Sequence, residues 1–250
     1  MLRNRVIPIV LLDGYSVVKT IQFDIRRNLG NPIVVSRIYE SRNVDELILL
    51  DIDASRENRS IDLHTVEAVS CECFMPLTIG GGLKTCQDIE NALKAGADKV
   101  SLNSIIFENP YFLKEAVSVF GSQCIVASID IKKDNSGEYV LFSNSGKDIK
   151  FSLEECLSLL IDSKVGEVLL NNVDLDGMMT GYDLDLIKYV SSRVNTPVIA
   201  AGGASKPEDC VKAVKAGASA VAVASIFHFT SITPRICKEA MANAGIPTRI

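Results

Sequence analysis

Pro76-Leu-Thr-Ile-Gly-Gly-Gly82 returns 121 residues later as Pro197-Val-Ile-Ala-Ala-Gly-Gly203. The same offset relates two further pairs of segments, which are Lys94-Ala-Gly-Ala-Asp-Lys-Val100 with Lys215-Ala-Gly-Ala-Ser-Ala-Val221, and Glu46-Leu-Ile-Leu-Leu-Asp51 with Glu167-Val-Leu-Leu-Asn-Asn172. Similar composition alone would not keep one register across three separate segments. The sequence therefore predicts two halves that repeat one structural unit.

Each half alternates short apolar runs with longer amphipathic segments. Short runs rich in Val and Ile are typical of strands buried on both faces of a parallel sheet. Strands are predicted near 5–12, 46–52, 76–80, 98–102, 123–130, 166–172, 197–201 and 219–224. Helices are predicted near 31–43, 60–72, 85–95, 108–120, 152–163, 183–193, 206–216 and 232–243.

Eight strand–helix units in 250 residues match the count and size of a (β/α)8 barrel. We expect a single barrel domain over residues 1–250, built from half-barrels near 1–122 and 123–250. A doubly wound open sheet is the structural alternative, but it would not naturally give two equal halves of four units. Segment Lys132–Lys147 carries turn signals around an alternating run and predicts a hairpin after the fifth strand.

Composition and charge limit the classes of function. Apolar residues make up 47% and charged residues 23% of the chain, which excludes a disordered or collagen-like protein. The net charge of −5 argues against a dedicated nucleic-acid-binding protein. No apolar run approaches the roughly 18 residues of a membrane span, and the first residues lack a secretory signal pattern. We therefore expect a cytoplasmic protein without a membrane or nucleic-acid partner.

The seven cysteines and two histidines bear on metal and redox chemistry. An odd number of cysteines in a long chain without a signal pattern predicts free, buried thiols in a reducing compartment. Cys71-Glu-Cys73 has the wrong spacing for a zinc site, and no second pair follows it. We expect no metal ion and no cofactor.

Glycines follow the third and the seventh predicted strands, as Gly80-Gly-Gly82 and Gly202-Gly203. Glycines between a strand and a helix let backbone N–H groups approach a phosphate at the helix N-terminus. The loops after the next strands, Asn103-Ser104 and Ala224-Ser225, would complete each site. The pattern predicts two phosphate sites and a ligand phosphorylated at both ends, whereas glycines that serve only the turns are the alternative.

Carboxylates at the ends of the predicted strands are candidates for proton transfer, because strand ends face the mouth of a barrel. Asp130 ends the fifth strand and is the candidate acid or base. Asp51 ends the second strand, where we expect a structural role. Asp174 and Asp176 follow the sixth strand. Asp176 precedes Gly177, so it either shapes a turn or helps to hold a phosphate.

A set of motifs spread over nearly the whole chain resembles one family. They are Arg5-Val-Ile-Pro8, Val17-Val-Lys19, Leu50-Asp-Ile-Asp-Ala-Ser55, Ile79-Gly-Gly-Gly82, Ala97-Asp-Lys-Val-Ser-Leu-Asn-Ser104, Ile129-Asp130, Asp174-Leu-Asp-Gly177, Gly181-Tyr-Asp183 and Ala224-Ser-Ile-Phe-His-Phe229. The family is the cyclase subunit of imidazole glycerol phosphate synthase. The resemblance implies a glutaminase partner on the N-terminal face of the barrel and ammonia transfer through the barrel interior. Ammonia then reacts with a doubly phosphorylated ribulosyl-formimino nucleotide, giving imidazole glycerol phosphate and an aminoimidazole carboxamide nucleotide.

The resemblance also implies roles for particular residues. A gate of four alternating charges at the barrel floor falls on Arg5, Glu46, Lys99 and Glu167, for which a stabilising charge layer is the alternative. Asp45 and Asp98 are expected to be exposed beside the gate and to pair with basic residues of the glutaminase. With the loops described above, the predicted phosphate-binding set is Lys19, Gly81, Gly82, Asn103, Ser104, Asp176, Gly177, Gly202, Gly203, Ala224 and Ser225.

One position departs from the family pattern. The family's mechanism uses two aspartates, of which Asp130 is the second, whereas Leu11 occupies the place of the first. The internal repeat agrees, with an offset of 119 residues at this strand, because Ile7-Pro-Ile-Val-Leu11 aligns with Val126-Ala-Ser-Ile-Asp130. A neighbouring cysteine of the family is Ile9 here. Leucine cannot transfer a proton, so we expect most cyclase turnover to be lost unless Asp13, two residues further on, replaces the base.

Three interpretations remain open. The start of the chain without the aspartate resembles a divergent branch of the family, in which a glutaminase and the barrel deliver ammonia to a separate amidotransferase that converts an acetamido sugar into an acetamidino sugar. The second interpretation is a genuine cyclase of histidine biosynthesis. The third is the isomerase of the same pathway, which also has a two-phosphate half-barrel repeat but uses no ammonia and so has no need of a gate.

Overall fold

Residues 3–145 and 149–250 are described by a computed structural model. Over these residues the strands are β1 (Arg5–Asp13), β2 (Ser16–Ile21), β3 (Ile25–Gly30), β4 (Leu47–Asp51), β5 (Leu77–Gly80), β6 (Lys99–Leu102), β7 (Ile125–Lys133), β8 (Tyr139–Phe142), β9 (Glu167–Asn172), β10 (Val198–Ala201) and β11 (Ala220–Val223). The helices are α1 (Pro32–Ser41), α2 (Leu63–Ser70), α3 (Cys86–Lys94), α4 (Ser104–Glu108), α5 (Pro110–Phe120), α6 (Leu153–Ser163), α7 (Leu184–Ser191), α8 (Pro207–Lys215), α9 (Ser225–Phe229) and α10 (Pro234–Asn243).

The strands close into a barrel. Strands β1, β4, β5, β6, β7, β9, β10 and β11 pair in that order in parallel, and β11 returns to pair with β1. Helices follow the strands and surround the barrel. The predicted (β/α)8 barrel is confirmed, and the open doubly wound sheet is excluded because no edge of the parallel sheet remains unpaired among the described strands.

Side chains along each strand alternate between two apolar layers, as the pleat of a strand requires. On β1, Ile7 and Ile9 belong to the cluster inside the barrel, whereas Val6 and Val10 pack between the barrel and the helices. This alternation explains why the barrel strands read as continuous apolar runs. It also means that every second residue near the end of a strand points into the barrel mouth.

Two hairpins extend the barrel on its upper side, where the strands end. The predicted hairpin after the fifth barrel strand is confirmed, since β7 continues to Lys133 and pairs in antiparallel fashion with β8. Gly146 and Lys147, at the end of the predicted segment, lie outside the described residues. A second hairpin, β2–β3, follows β1 and was not predicted.

The seven cysteines all lie in the described ranges and are free. Cys73, Cys156, Cys210 and Cys237 are buried, as expected of small apolar side chains. The expectation of burial is wrong for Cys71, which is exposed at the end of α2, and Cys86 and Cys124 are only partly buried. Across both described ranges, every helix is too short or too polar to cross a lipid bilayer.

Two glycines offer a matched test of how tightly the strand ends are packed. Gly82 and Gly14 have nearly the same left-handed backbone, with φ of +65° and +63°. A Cβ on Gly82 would lie 1.8 Å from the carbonyl oxygen of Arg59, whereas a Cβ on Gly14 would have no neighbour within 4 Å. We expect Gly14→Ala to cost about 1–2 kcal/mol of unfolding free energy and Gly82→Ala more than twice as much. Urea denaturation measures both, and equal losses would contradict the packing described here.

Candidate functional site

One pocket opens at the mouth of the barrel, where the carboxyl ends of the strands meet. Its lining includes every residue of the predicted phosphate-binding set, together with Asp130 and Leu11. These are Leu11, Lys19, Gly81, Gly82, Asn103, Ser104, Asp130, Asp176, Gly177, Gly202, Gly203, Ala224 and Ser225. Residues far apart in the sequence are thus gathered by the barrel into a single site, which we call the mouth pocket.

The mouth pocket has two corners related by the internal repeat. The first corner consists of Gly81, Gly82, Asn103 and Ser104, and the second consists of Gly202, Gly203, Ala224 and Ser225. In each corner a glycine pair follows one strand, and a short helix begins after the next strand. The two corners lie in opposite halves of the chain, as the sequence predicted.

The helices that offer free N–H groups differ from those expected. The backbone N–H groups of Lys84 and Thr85, before α3, donate to the Asp88 carboxylate at 3.0 and 2.9 Å. In the other half, those of Ser205 and Lys206, before α8, donate to Asp209 at 3.0 and 3.1 Å. Helices α4 and α9 begin without a side-chain cap. The N-terminal amides that remain free beside the glycines therefore belong to α4 and α9.

The buried Lys19 and the half-buried Asp176 form an ion pair beside the second corner. The Lys19 Nζ lies 3.0 Å from both carboxylate oxygens of Asp176, and the Thr20 hydroxyl donates to the same carboxylate at 3.0 Å. The Gln22 backbone N–H donates to the Asp176 carbonyl oxygen at 2.8 Å. Hairpin β2–β3 is therefore attached across the mouth to the loop after β9, and Asp176 holds Lys19 in the lining.

Four charged side chains form a closed ring inside the lower end of the barrel. Arg5 bonds to Glu46 at 2.6 Å and to Glu167, while Lys99 lies 3.0 Å from Glu46 and 2.7 Å from Glu167. The Thr78 hydroxyl donates to Glu46 at 2.7 Å. These four side chains, hereafter the charge ring, are the four residues predicted to form the gate.

Two members of the charge ring, Arg5 and Glu167, have pKa values shifted toward their charged forms. Burial by itself disfavours the Glu167 carboxylate, but Arg5 and Lys99 outweigh that effect and lower its pKa. Burial likewise opposes the charge of Arg5, yet Glu167 and Glu46 raise its pKa. Above the ring the interior holds an apolar cluster of Ile7, Ile48, Val126, Leu169, Ile199, Ala201, Ala220 and Ala222.

Comparison with known proteins identifies the family of this chain. The family described as "Histidine biosynthesis protein" matches residues 5–233. A Campylobacter jejuni protein, provisionally named imidazole glycerol phosphate synthase subunit hisF2, is 46% identical over 251 residues covering all of both chains. Imidazole glycerol phosphate synthase subunit HisF of Caulobacter vibrioides is 42% identical over 253 residues, covering all of this chain and 97% of the relative. The chain belongs to the HisF family of histidine biosynthesis proteins.

Asp130 of β7 lines the mouth pocket of this HisF-family chain. Its carboxylate accepts hydrogen bonds from the side-chain amides of Asn103 at 2.9 Å and Asn171 at 3.3 Å. Burial raises the pKa of Asp130 to about 6, although the two amide bonds oppose this rise. A carboxyl group with a pKa near neutrality is suited to both accepting and donating a proton.

The β1 side of the pocket lacks a second acid. Leu11 lies beside Leu50 of β4 and is buried in the lining. Asp13 is absent from the described residues of the lining, and its carboxylate binds Arg26 at 2.6 Å. The geometry therefore gives no support to the hypothesis that Asp13 replaces the missing base.

The remaining predicted acids have identifiable partners. Asp51 is buried, accepts from the backbone N–H groups of Asp53 and Ala54, and pairs with Arg59 at 2.5 Å, which agrees with its expected structural role. Asp174 accepts from the Lys133 backbone N–H at 2.8 Å and thus supports the β7–β8 hairpin.

The two aspartates expected at the partner face differ in exposure. Asp98 is exposed and accepts from the Leu77 backbone N–H at 2.8 Å. The expectation that Asp45 is exposed is wrong, because Lys238 pairs with it at 2.8 Å and leaves its side chain 6% exposed. The Val6 backbone N–H donates to the same carboxylate at 3.0 Å.

Sequence reasoning missed several residues of the mouth pocket. Asn171 lines it four positions after the ring residue Glu167, and the alternation of β9 could have indicated this. Arg56, in the loop after β4, and Phe23, at the turn of hairpin β2–β3, also line it. No periodic pattern marks these two, since both lie in irregular segments.

The raised pKa of Asp130 predicts a pH dependence of stability. The folded chain binds this proton more tightly than the unfolded chain, for which the ordinary Asp value of 3.8 applies. The contribution of Asp130 to the unfolding free energy therefore falls as pH rises from about 4 to above 6. Relative to Asp130→Asn, we expect the natural chain to lose roughly 2–3 kcal/mol between pH 4 and pH 7. Urea unfolding at each pH measures the difference, and a constant value would contradict the raised pKa.

Proposed function

We propose that this chain is the barrel subunit of a glutamine-dependent complex and that it transfers ammonia without cyclising a nucleotide. Ammonia from a glutaminase subunit enters at the charge ring, crosses the apolar barrel interior and leaves through the mouth pocket. The observation that carries this proposal is the combination of a complete charge ring with Leu11 opposite Asp130. The residues proposed for ammonia entry are all present, whereas the residues for cyclisation have lost one of two aspartates.

The charge ring suits the entry of a small polar molecule. Its two cations and two anions close the floor by mutual pairing, and the exposed fractions of its side chains lie between 2% and 24%. Rearrangement of one pair would open a passage while the other charges keep partners. The apolar cluster above it offers no group that would protonate ammonia and hold it as ammonium.

The missing acid argues against cyclase turnover. General acid–base catalysis contributes typically about 10²–10⁴-fold per positioned group, and leucine supplies none. Asp130 alone retains one proton-transfer group. The mouth pocket still offers its two corners, so we propose that it binds a doubly phosphorylated molecule even where it does not cyclise one.

The acceptor we propose is an acetamido sugar, which a separate amidotransferase converts into an acetamidino sugar. This reaction replaces the amide carbonyl oxygen of the sugar by the nitrogen of ammonia. The amidotransferase activates that oxygen with a nucleoside triphosphate, so that it leaves as phosphate. Support comes from the resemblance of the β1 segment to the branch with that role and from the name hisF2 of the Campylobacter jejuni relative, which suits a second, divergent copy. We also place the complex in the cytoplasm, in keeping with seven free cysteines.

A second candidate is the genuine cyclase of histidine biosynthesis. The complete set of predicted phosphate-binding residues in the mouth pocket favours it, as does 42% identity to the HisF subunit of Caulobacter vibrioides. The isomerase interpretation has no comparable support, because an enzyme that uses no ammonia gives the charge ring no role.

Isotope transfer tests the proposal. The chain, its glutaminase, the amidotransferase and an acetamido sugar are mixed with a nucleoside triphosphate, amide-15N glutamine and an excess of unlabelled ammonium chloride. We expect the acetamidino product to carry more 15N than the ammonium pool, because ammonia inside the barrel does not mix with solvent. Labelling equal to the pool would rule out transfer through the barrel. Replacing the sugar by the nucleotide substrate should give no imidazole product.

A further inference from the structure

Two hairpins meet above the mouth of the barrel. Strands β1 and β7 are the first and fifth of the eight in the closed barrel, so hairpins β2–β3 and β7–β8 rise from opposite sides. Phe23, at the turn of hairpin β2–β3, nevertheless contacts Phe142 of β8, with ring centroids 5.9 Å apart. The loop after β9 joins both hairpins through Asp174, whose carbonyl oxygen accepts from the Gln22 side chain at 2.7 Å and whose carboxylate accepts from the Lys133 backbone N–H at 2.8 Å. These three segments therefore form a continuous rim on one side of the mouth pocket.

The rim exposes large apolar side chains to solvent. Ile25 of hairpin β2–β3 is 59% exposed, and Met178 and Met179 of the loop after β9 are 42% and 37% exposed. Gly177 packs so closely against hairpin β2–β3 that a Cβ there would lie 2.4 Å from a backbone carbonyl oxygen, which places the two methionines beside that hairpin. Phe229, at the end of α9, is 40% exposed. Exposed apolar side chains grouped on one side of a protein are typical of a docking surface, and methionines adapt easily to a partner.

Two cations of the rim lie over aromatic rings. The Arg27 guanidinium carbon is 5.5 Å from the centre of the Phe229 ring, and the Lys132 Nζ is 4.9 Å from the centre of the Phe142 ring. Lys132 lies two positions after Asp130 on the same strand, so its side chain points toward the mouth. Within the described ranges, neither cation forms an ion pair with a carboxylate.

The lack of a carboxylate partner distinguishes these two cations from other exposed ones. Arg37 and Arg235, for example, pair with glutamates on the surface. The exposed acids of the two hairpins lie at their turns and pair with neither rim cation in the described part of the chain; they are Asp24, Asp134 and Glu138. The rim cations are therefore available to carboxylates of another protein.

Two large side chains of the rim have a backbone conformation that favours glycine. Phe23 and Met179 both line the mouth pocket, and their φ angles are +63° and +52°. The left-handed conformation costs L-residues roughly 1–2 kcal/mol each, and it is least common for bulky side chains. Turn formation alone does not account for phenylalanine and methionine at these positions, which points to a use of the side chains themselves.

We propose that the rim is the docking surface for the enzyme that consumes the ammonia, and that this enzyme presents carboxylates around an apolar centre. The docking surface, hereafter the rim patch, consists of Ile25, Arg27, Lys132, Met178, Met179 and Phe229. Met179 belongs to both the rim patch and the lining of the mouth pocket, so a protein seated on the patch covers the exit of the barrel. Ammonia then passes to its acceptor without mixing with solvent. This inference rests on the proposed transfer of ammonia to a separate amidotransferase.

Binding of the amidotransferase to the complex of this chain with its glutaminase tests the inference, and biolayer interferometry measures the dissociation constant. We expect binding to weaken as salt is added, because the contacts involve charges. Arg27→Glu and Lys132→Glu should each weaken binding at least about tenfold, since they set like charges against the carboxylates of the partner. Neither side chain has an ion pair to lose among the described residues, so we expect both variants to fold.

Two variants outside the rim patch are matched controls. Lys133 follows Lys132 and also lies over a ring, that of Tyr139 at 5.1 Å, but Tyr139 packs toward α7 on the outer side of the hairpin. Lys133→Glu makes the same change of charge away from the patch and should leave binding unchanged. For the apolar part, Met178→Ser should weaken binding, whereas Ile161→Ser on α6, with a similar exposure of 38%, should not.

Several outcomes would overturn the inference. They are equal weakening by Lys132→Glu and Lys133→Glu, unchanged binding in the variants of the rim patch, and failure of the amidotransferase to bind the natural complex. Sedimentation of the chain alone tests a second copy of the chain as the occupant. Dimers of the natural chain that dissociate in Lys132→Glu would assign the rim patch to that second copy instead.

The isotope assay described above separates this inference from ammonia transfer itself. The binding measurement uses no glutamine and no turnover, so it stands even where the product carries only the label of the ammonium pool. In Arg27→Glu and Lys132→Glu we expect the 15N content of the product to fall toward that of the pool, while product formed from the ammonium salt continues. Enrichment that persists in both variants would show that the acceptor docks elsewhere.

Discussion

Replacing Leu11 by aspartate is expected to raise ammonium-dependent cyclase turnover by about 10²–10⁴-fold. Leu11 lines the mouth pocket together with Asp130, so the substitution places a second carboxylate at the same site. Asp130 supplies one proton-transfer group with a pKa of about 6, and the new aspartate supplies the other. The assay uses the doubly phosphorylated nucleotide substrate with excess ammonium salt, so that no glutaminase is needed.

Two controls separate proton transfer from other effects of the Leu11→Asp change. Leu11→Asn has nearly the same shape and polarity but cannot transfer a proton at neutral pH, and it should remain inactive. Adding Asp130→Asn to Leu11→Asp should abolish the gain, because the pair acts together. Equal turnover of Leu11→Asp and Leu11→Asn, with the substrate still bound, would contradict the assignment of Leu11 as the missing base position.

Removing one acid from the charge ring is expected to cause a large loss of stability. Glu46 is 2% exposed and bonds to Arg5, Lys99 and Thr78. In Glu46→Gln the two cations share a single anion, Glu167, inside the barrel. Breaking a buried ion pair by removing one partner costs roughly 3–5 kcal/mol, and we expect a loss in this range in urea unfolding.

Glu72→Gln is the matched control for that change. Glu72 pairs with Arg37 through two hydrogen bonds, at 3.0 and 2.7 Å, so the chemical change is the same. Both side chains are well exposed, at 37% and 61%, and such surface pairs contribute about 0–1 kcal/mol. Similar losses in the two variants would show that burial of the charge ring does not determine its contribution.

The repeat in the sequence was sufficient to predict the barrel and the two corners of the pocket. Each glycine pair follows a strand of the repeat, and a closed parallel sheet brings all strand ends to one mouth. The sequence pattern alone therefore predicted that Gly81 and Gly202 lie at the mouth of the barrel. The role of the charge ring could not be predicted in this way, because it was inferred from resemblance to a family. The strands nevertheless place the four side chains in one layer.

Other features depend on contacts that no local pattern records. Asp45 pairs with Lys238, which lies 193 positions away in the sequence, so its burial could not be read from its neighbours. Asp13 forms an ion pair with Arg26 of hairpin β2–β3, and the sequence pattern did not predict that hairpin. Asp88 and Asp209 take the first N–H groups before α3 and α8, which moves the free helix amides to α4 and α9.

Cyclase turnover of the unmodified chain is the most direct measurement of the central claim. The chain is incubated with the doubly phosphorylated nucleotide and excess ammonium salt at alkaline pH, where ammonia is abundant and no partner is needed. We expect no imidazole glycerol phosphate above the level without protein, because Leu11 leaves the pocket with one acid. Sustained product formation by the natural chain would contradict the claim that it transfers ammonia without cyclising a nucleotide.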